Sequence, residues 1–409
     1  MTEEQLQKVR QEIREKLFEQ INHSLEISDE EVQELIEEEI VEAGKNQYIP
    51  LAQKDKLRRE IYFSVRKYDV LQELLEDNSV TEIMVNGKDH IFIEKNGHLA
   101  PYAGCFESRE KLFDVIQQIV AKANRVVNES NPIVDARLAG SRVHVVLEPI
   151  ALNGPILTIR RFPEHPITME DLLRMGSITQ EAAQFLHSLV VAGYNIFISG
   201  GTGSGKTTFL NVLSGYIPPG ERVITIEDSA ELSLQGIENI VRMETRNANI
   251  EGCREISIRD LIKASLRMRP DRIIVGEVRG GEALDMLQAL NTGHDGSLST
   301  GHANSARDML TRLETMVLMA MDLPLEAIRR QIASGLDIIV HLGRLRDKSR
   351  KVISITEILD FEAGQIRTSD LFTFEETGDG KEGCVEGTLV RKNQLMHVEK
   401  LHRAGIVMR

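Results

Sequence analysis

The chain has 409 residues, 41% hydrophobic and 27% charged, which is enough for two or three domains with buried cores. Its formal net charge of -14 argues against wrapping nucleic acid, whose phosphates call for a basic stripe. No apolar run approaches the roughly 20 residues of a membrane span, and the charged start "MTEEQLQKVRQEIREKL" is not a secretory signal.

The charge is unevenly placed: residues 1–44 carry 14 Asp/Glu against 4 Lys/Arg, a balance of -10 that leaves -4 for the rest. This segment reads as a solvated helical face, or as a docking surface for a basic partner. Thr2-x-x-Gln5 is a capping-box pattern, followed by Leu6, Val9, Ile13, Leu17 and Ile21 at helical spacing. Ser28-x-x-Glu31 opens a second helix with Val32, Leu35, Ile36 and Ile40 on one face, and a third runs after Pro50 through Leu57, Ile61 and Val65. Residues 1–67 are therefore expected to form an all-α domain. Cys105, Cys253 and Cys384 lack metal-ligand spacing, so neither a disulfide framework nor a zinc site is expected, and a reducing compartment fits.

From Tyr68 the texture changes to short alternating strands, "TEIMVNG" and "HIFIEKNGHLA", with Asn96-Gly97 as a hairpin turn. A helix with Leu112, Val115, Ile116, Ile119 and Val120 as its stripe follows, then the strands "SRVHVVLEP" and "ILTIRRF". Residues 68–162 read as an α+β domain with an antiparallel sheet. Two prolines and a glycine mark 163–178 as a linker. From 179 to 344 the strands "YNIFIS", "RVITIE", "RIIVGE" and "LDIIVHL" alternate with helices, which predicts a largely parallel sheet covered on both faces. Residues 345–409 read as a β-rich tail, with the glycine-rich "ETGDGKEGCVEG" as a mobile loop.

"GGTGSGKTT" lies between a strand and a helix and matches the phosphate-loop pattern through Gly200, Gly205, Lys206 and Thr207. Gly200, Gly201, Thr202, Gly203, Ser204 and Gly205 would turn their N–H groups around a β-phosphate, with Thr208 at the start of the helix also counted as nucleotide-binding. Lys206 would bridge the β and γ oxygens, and the Thr207 hydroxyl would reach Mg²⁺. Downstream, "RVITIEDSAEL" ends a strand on Glu227-Asp228. A carboxylate there can take a proton from an attacking water, so Glu227 is the candidate base and Asp228 orients its loop. "RIIVGEVRG" places Glu277 at the end of another strand, expected beside the phosphate loop and on the magnesium side through an ordered water; the two glutamate roles can be exchanged. A salt bridge with Arg279 is the plainer reading of Glu277. His294 and His302 flank a short strand, and are candidates for sensing the γ-phosphate. The arginines needed to offset phosphoryl charge are sought among Arg137, Arg142, Arg160 and Arg161, with Arg242 and Arg246 as further candidates.

Together "GGTGSGKTT", "TIEDSAEL", "RMRPDRIIVGEVRGGEALDMLQALNTGHDG" and "STGHANS" resemble the Walker A, Asp box, Walker B and His box of the type II/type IV secretion ATPase superfamily. "VDAR…GSRV", "GPILTIRRF" and "RLETMVLM" are similar to its CpaF-type members, which serve tight-adherence (Tad/Flp) pilus assembly. The resemblance runs from about residue 70 to 345. It implies an α/β protein in which a RecA-like ATPase domain follows a PAS-like α+β domain. It also implies ATP and Mg²⁺ as cofactors, a homohexamer, and a cytoplasmic position beneath a polytopic inner-membrane platform protein, with ATP bound between the middle and ATPase domains. On this resemblance Lys206 and Thr207 are the Walker A pair, Glu227 the Asp-box acid and Glu277 the Walker B acid. His294 and His302 belong to the His box, and Arg142, Arg160 and Arg161 match the middle-domain arginines.

The sequence departs from that pattern in the "RLAGSR" turn, which is one residue short, and in lacking the tetracysteine module of general-secretion ATPases. The alternatives are a conjugation or type IV secretion ATPase, a RecA-like nucleic-acid motor, and a nucleotide switch without turnover.

Overall fold

The computed structural model describes all residues except 22–26, 96, 124, 139, 163–165, 247–253, 381–382 and 408–409, and divides into two compact units, Met1–Glu164 and His165–Arg409. Cys253 and Asn96 lie outside the described residues, as does the side chain of Ile21.

In the first unit, α1 (Glu3–Ile21), α2 (Asp29–Asn46) and α3 (Leu51–Arg66) bury one apolar stripe each. Leu6, Val9, Ile13, Leu17, Val32, Ile36, Ile40, Leu57 and Ile61 form their shared core. Both expected caps are present. Thr2 N–H donates to Gln5 Oε1 at 3.0 Å while Gln5 N–H donates to Thr2 Oγ1 at 3.3 Å, and Ser28 and Glu31 complete a reciprocal capping box.

The same unit continues with α4 (Leu71–Glu76), β1 (Val80–Asn86), β2 (Ile91–Lys95), β3 (His98–Tyr102) and α5 (Arg109–Lys122). It closes with β4 (Ile133–Leu138), β5 (Ser141–Val146) and β6 (Ile156–Arg161). The six strands form an antiparallel sheet in the order β3-β2-β1-β6-β5-β4, and the expected stripe of α5 is fully buried. The sequence pattern does not reveal α4 or β4. Six residues are too few for helical periodicity, and β4 carries Asp135 and Arg137 on its outer face.

The second unit opens with α6 (Met169–Arg174), inside the stretch read as a linker. Thr168 and Asp171 cap it reciprocally, and Met169 and Leu172 enter the core of this unit. Then come α7 (Gln180–Val191), β7 (Ile196–Gly200), α8 (Lys206–Ser214), β8 (Val223–Glu227), β9 (Ile240–Glu244) and α9 (Ile258–Ser265). They are followed by β10 (Arg272–Val275), α10 (Glu282–Leu290), β11 (Leu298–His302), α11 (Ala306–Ala320), α12 (Leu325–Gly335) and β12 (Ile338–Arg344). The chain ends with β13 (Arg350–Glu362), β14 (Gln365–Asp379), β15 (Val385–Arg391) and α13 (Glu399–Arg403).

These nine strands form one sheet, β15-β14-β13-β12-β7-β11-β10-β8-β9. It is parallel from β12 to β9 and antiparallel from β12 to β15. Two apolar clusters cover its faces, one including α7 and α8, the other α9 to α12. The expected β-rich tail is thus an extension of the parallel sheet. Buried Glu357 on β13 holds the end of the chain by accepting the N–H groups of Met396 and His397 at 3.0 and 2.8 Å. The glycine-rich stretch expected as a mobile loop is mostly paired strand, with Glu376 facing Gly387 and Asp379 facing Val385. Lys381 and Glu382 lie outside the described residues.

At the N-terminal edge of the parallel strands, Arg272 is 2% exposed. It pairs with Glu221 and donates to the carbonyl of Val190 at 2.6 Å, joining β10 to the end of α7. Arg272→Met keeps the length and removes every donor, leaving a carboxylate and a carbonyl without partners. It is expected to destabilise the protein by about 3 kcal/mol, read from the denaturant midpoint at constant m-value.

Candidate functional site

The C-terminal ends of parallel strands gather loops at one edge of a sheet, and here that edge holds the phosphate loop. Gly203 and Gly205 sit at φ 70° and 93°, left-handed values that favour glycine. At Gly200 a Cβ would stand 2.5 Å from both the Leu342 carbonyl and Ser204 Oγ, so the strand can turn into the loop only without a side chain. Ser204 Oγ and Lys206 Nζ each donate to the Gly201 carbonyl at 2.9 Å, and α8 begins at Lys206.

Lys206 is 7% exposed, and burial lowers the pKa of its ammonium. Its second neighbour is His302 Nδ1, at 3.2 Å, and His302 Nε2 lies 2.8 Å from Glu277 Oε1. An ammonium can only donate, so Nδ1 accepts and Nε2 carries the proton that faces the carboxylate. A neutral ring agrees with the pKa of His302, lowered by burial and by the charge of Lys206.

Glu277 Oε2 takes a 2.7 Å bond from Arg279, whose other terminal nitrogen is 3.7 Å from Asp228. Burial pushes the Glu277 carboxyl up, but the Arg279 hydrogen bond and charge, with His302 and Lys206, outweigh it and hold the acid ionised. The salt bridge with Arg279, the plainer alternative for Glu277, is present. Glu277 is not on the strand next to the phosphate loop, however: β11 stands between β10 and β7, and His302 carries the contact across.

Glu227 is 3% exposed, at the end of β8. Its Oε1 accepts the N–H groups of Glu231 and Leu232 at 2.9 and 2.8 Å, while Oε2 is buried with no hydrogen-bond partner among the described residues. Burial raises its pKa to about 7, the value at which a carboxylate can both hold and release a proton near neutrality. Gly276 makes room for it: a Cβ there would lie 3.0 Å from Glu227 Cγ.

The structure does not bring His294 to this edge. It precedes β11, whereas His302 ends it, so the two histidines lie at opposite ends of one strand. His294 Nδ1 instead approaches the Ala289 carbonyl at 3.1 Å, at the end of α10. Arg242 lies exposed on β9, and Arg246 donates to the Arg254 carbonyl at 3.2 Å.

In the first unit, register aligns Arg137, Arg142 and Arg160 side by side across β4, β5 and β6, with Glu82 next on β1. The short "RLAGSR" turn closes on the Leu138–Ser141 pair, which is what sets Arg137 opposite Arg142. Arg161 belongs to the opposite face, paired with Ser141, and donates to the Asp77 carbonyl and Asn78 Oδ1 at 2.6 and 3.0 Å. Arg279, Arg312, Asn304 and Asp308 line a cavity of about 690 Å³ beside Gly201 and His302. Of these, only Arg279 was marked by sequence, through its nearness to Glu277. Asn304 and Asp308 follow His302 closely, and that proximity was the available signal.

No group of three or more metal-ligating side chains occurs among the described residues. A magnesium ion carried in with phosphates needs only one or two protein oxygens, and the candidates for that role remain Thr207 and the ionised Glu277. No described helix is long and apolar enough to cross a membrane.

The model of the family described as type II/IV secretion system protein matches residues 65–403. A putative conjugal transfer protein of Mycobacterium tuberculosis is 33% identical over 300 residues, covering 72% of this chain and 85% of that protein. Conjugal transfer protein TrbB of Rhizobium radiobacter is 34% identical over 313 residues, 75% of this chain and 93% of its own. Among solved structures, the ATPase DotB of Legionella pneumophila is similar in fold, with a TM-score of 0.50 and 19% identity over 71% of this chain and 79% of that one.

The raised Glu227 pKa also has a stability consequence. The folded value, about 7, lies above the ordinary 4.5, so the buried acid favours folding less as pH rises through that window. Wild-type stability should fall between pH 5 and 8 by at most about 3 kcal/mol relative to Glu227→Gln, whose side chain does not ionise. Melting curves of both proteins across that range check it.

Proposed function

The chain belongs to the type II/IV secretion system protein family, and from that premise we propose that it is an ATP-hydrolysing motor of a secretion-type machine. The observation that carries this reading is the run of contacts from Lys206 through His302 to Glu277 and Arg279, beside a second buried acid with a pKa of about 7. A nucleotide-binding scaffold alone needs the loop and the lysine. A paired ionised acid and a separate poised one are the parts that hydrolysis requires.

In this mechanism the loop N–H groups and Lys206 hold the polyphosphate, and His302 reports γ-phosphate occupancy to Glu277. Glu227 accepts the proton of the attacking water. Thr207 and Glu277 would hold Mg²⁺, which when bound supplies charge neutralisation between the phosphates. Arg137, Arg142 and Arg160 stand in register on neighbouring strands, with Arg142 also bonded to Asp135 at 3.4 Å and Glu82 next to Arg160. These three remain the first-unit residues that would supply guanidinium charge to a nucleotide, within a homohexamer.

Both curated relatives above are named for conjugal transfer, which favours a conjugation or type IV secretion motor. The second reading is Tad/Flp pilus assembly, supported by the segments "VDAR…GSRV", "GPILTIRRF" and "RLETMVLM". In either reading the protein would work at the cytoplasmic face of the membrane, docked on a polytopic platform protein. Disruption of the gene in its host separates them: loss of DNA transfer supports the first, loss of surface pili the second.

ATP turnover and molecular size, measured with and without nucleotide, test the motor itself. Wild type should hydrolyse ATP as an oligomer, and Lys206→Ala should abolish turnover. Glu227→Gln should lower kcat at least about 100-fold while still binding nucleotide. The wild-type rate should climb with pH through about 7 and level off above it, as Glu227 ionises. A monomer with no turnover would falsify the proposal, and DNA-stimulated turnover would move it to the nucleic-acid motor.

A further inference from the structure

The phosphate loop has a second flank. β7 lies between β11 and β12, so His302 and the two acids stand on one side of it and the β12–β13 hairpin on the other. At the mouth of that hairpin Arg344 and Arg350 are directly paired across the strands. Like charges opposite each other in an antiparallel pair repel, by a few tenths of a kcal/mol or more. No ion-pair partner occurs for either among the described residues. The neighbouring cations are occupied elsewhere, Arg346 with Glu376 and Lys351 with the carbonyls of Met175 and Gly176.

Arg350 reaches the loop itself. Its Nε donates to the Gly203 carbonyl at 2.8 Å, and its Cδ would lie 3.6 Å from a Cβ at Gly205. That bond fixes the guanidinium against the phosphate loop. The side chain is exposed, and its two terminal nitrogens make no hydrogen bond among the described residues. Unlike the arginines of the middle domain, Arg350 lies in the same unit as the loop.

We propose that Arg350, with Arg344 behind it, contacts the end of the nucleotide that ADP and ATP share. The inference rests on the nucleotide-hydrolysing reading above. Lys206, His302 and Glu277 mark the γ-phosphate side, toward β11. A nucleotide lying across the loop then carries its α-phosphate, ribose and base toward β12 and β13, where this charge is held. Contacts on the γ side discriminate ATP from ADP. A contact on this flank binds both alike and sets how long ADP stays after turnover.

Equilibrium binding of ADP and of a non-hydrolysable ATP analogue to the full chain tests this, with Arg350→Gln, Arg350→Lys and Lys206→Ala beside wild type. Arg350→Gln should weaken both nucleotides by the same factor, about tenfold, as expected for a charge-assisted hydrogen bond. The loss should shrink as salt rises from 0.05 to 0.5 M, and Arg350→Lys should recover most of it. A brace for the Gly203 carbonyl alone predicts a different result: Gln, which keeps a donor, would perform as well as Lys, and salt would not matter.

That outcome overturns the inference, as does unchanged binding by Arg350→Gln or a loss confined to the ATP analogue. If Arg350→Gln fails to fold, Arg344→Gln carries the same test, with a smaller equal loss for both nucleotides expected. Wild type that binds neither nucleotide, like Lys206→Ala, would instead sink the nucleotide reading itself. Wild-type binding with unaffected arginine variants would sink only this inference.

Discussion

A buried ammonium must be surrounded by acceptors, and the second unit is arranged around meeting that need for Lys206. Its charge is met by a loop carbonyl and by a histidine ring, whose far nitrogen lies 2.8 Å from an ionised glutamate. Each contact determines the next. The lysine sets which imidazole nitrogen accepts, the tautomer sets which nitrogen faces Glu277, and Arg279 keeps Glu277 charged. Arrival of phosphate oxygens at Lys206 would change the first contact and so be felt at the last.

The sheet order makes this possible. Because β11 separates the phosphate-loop strand from β10, the residue that ends β11, His302, stands in contact with both Lys206 and Glu277. The two glutamates then live in different surroundings. Glu277 is partly open and paired with two partners. Glu227 is enclosed, with one oxygen held by two backbone N–H groups and the other without a partner among the described residues. Desolvation raises one acid and charge pairing lowers the other, which separates their protonation at neutral pH.

Much of this was legible in the sequence. Caps, apolar periodicity and the phosphate-loop spacing are local signals, and the helices, most strands and the loop follow from them. What escaped depends on pairing between distant segments. The face on which Arg161 lies, the in-register row of Arg137, Arg142 and Arg160, and the placing of Arg350 on Gly203 all follow from strand register, which a linear pattern does not carry. His294 shows the same limit in reverse. Two histidines eight positions apart look like neighbours in a list, but β11 begins after one and ends on the other, which puts them at opposite ends of that strand. The C-terminal region was read as β-rich, and it forms β13 to β15, which the linear pattern does not attach to the parallel sheet.

Gly276 shows where sequence adjacency misleads about cause. It sits next to Glu277 in the chain, so any loss of activity on changing it would be credited to Glu277. Yet the atom a methyl group would strike belongs to Glu227, almost fifty residues away. The absent side chain is in effect part of the other acid's binding pocket, a vacancy shaped to its Cγ. A residue-by-residue map of this protein would thus record the fit of Glu227 at a position that never touches its chemistry.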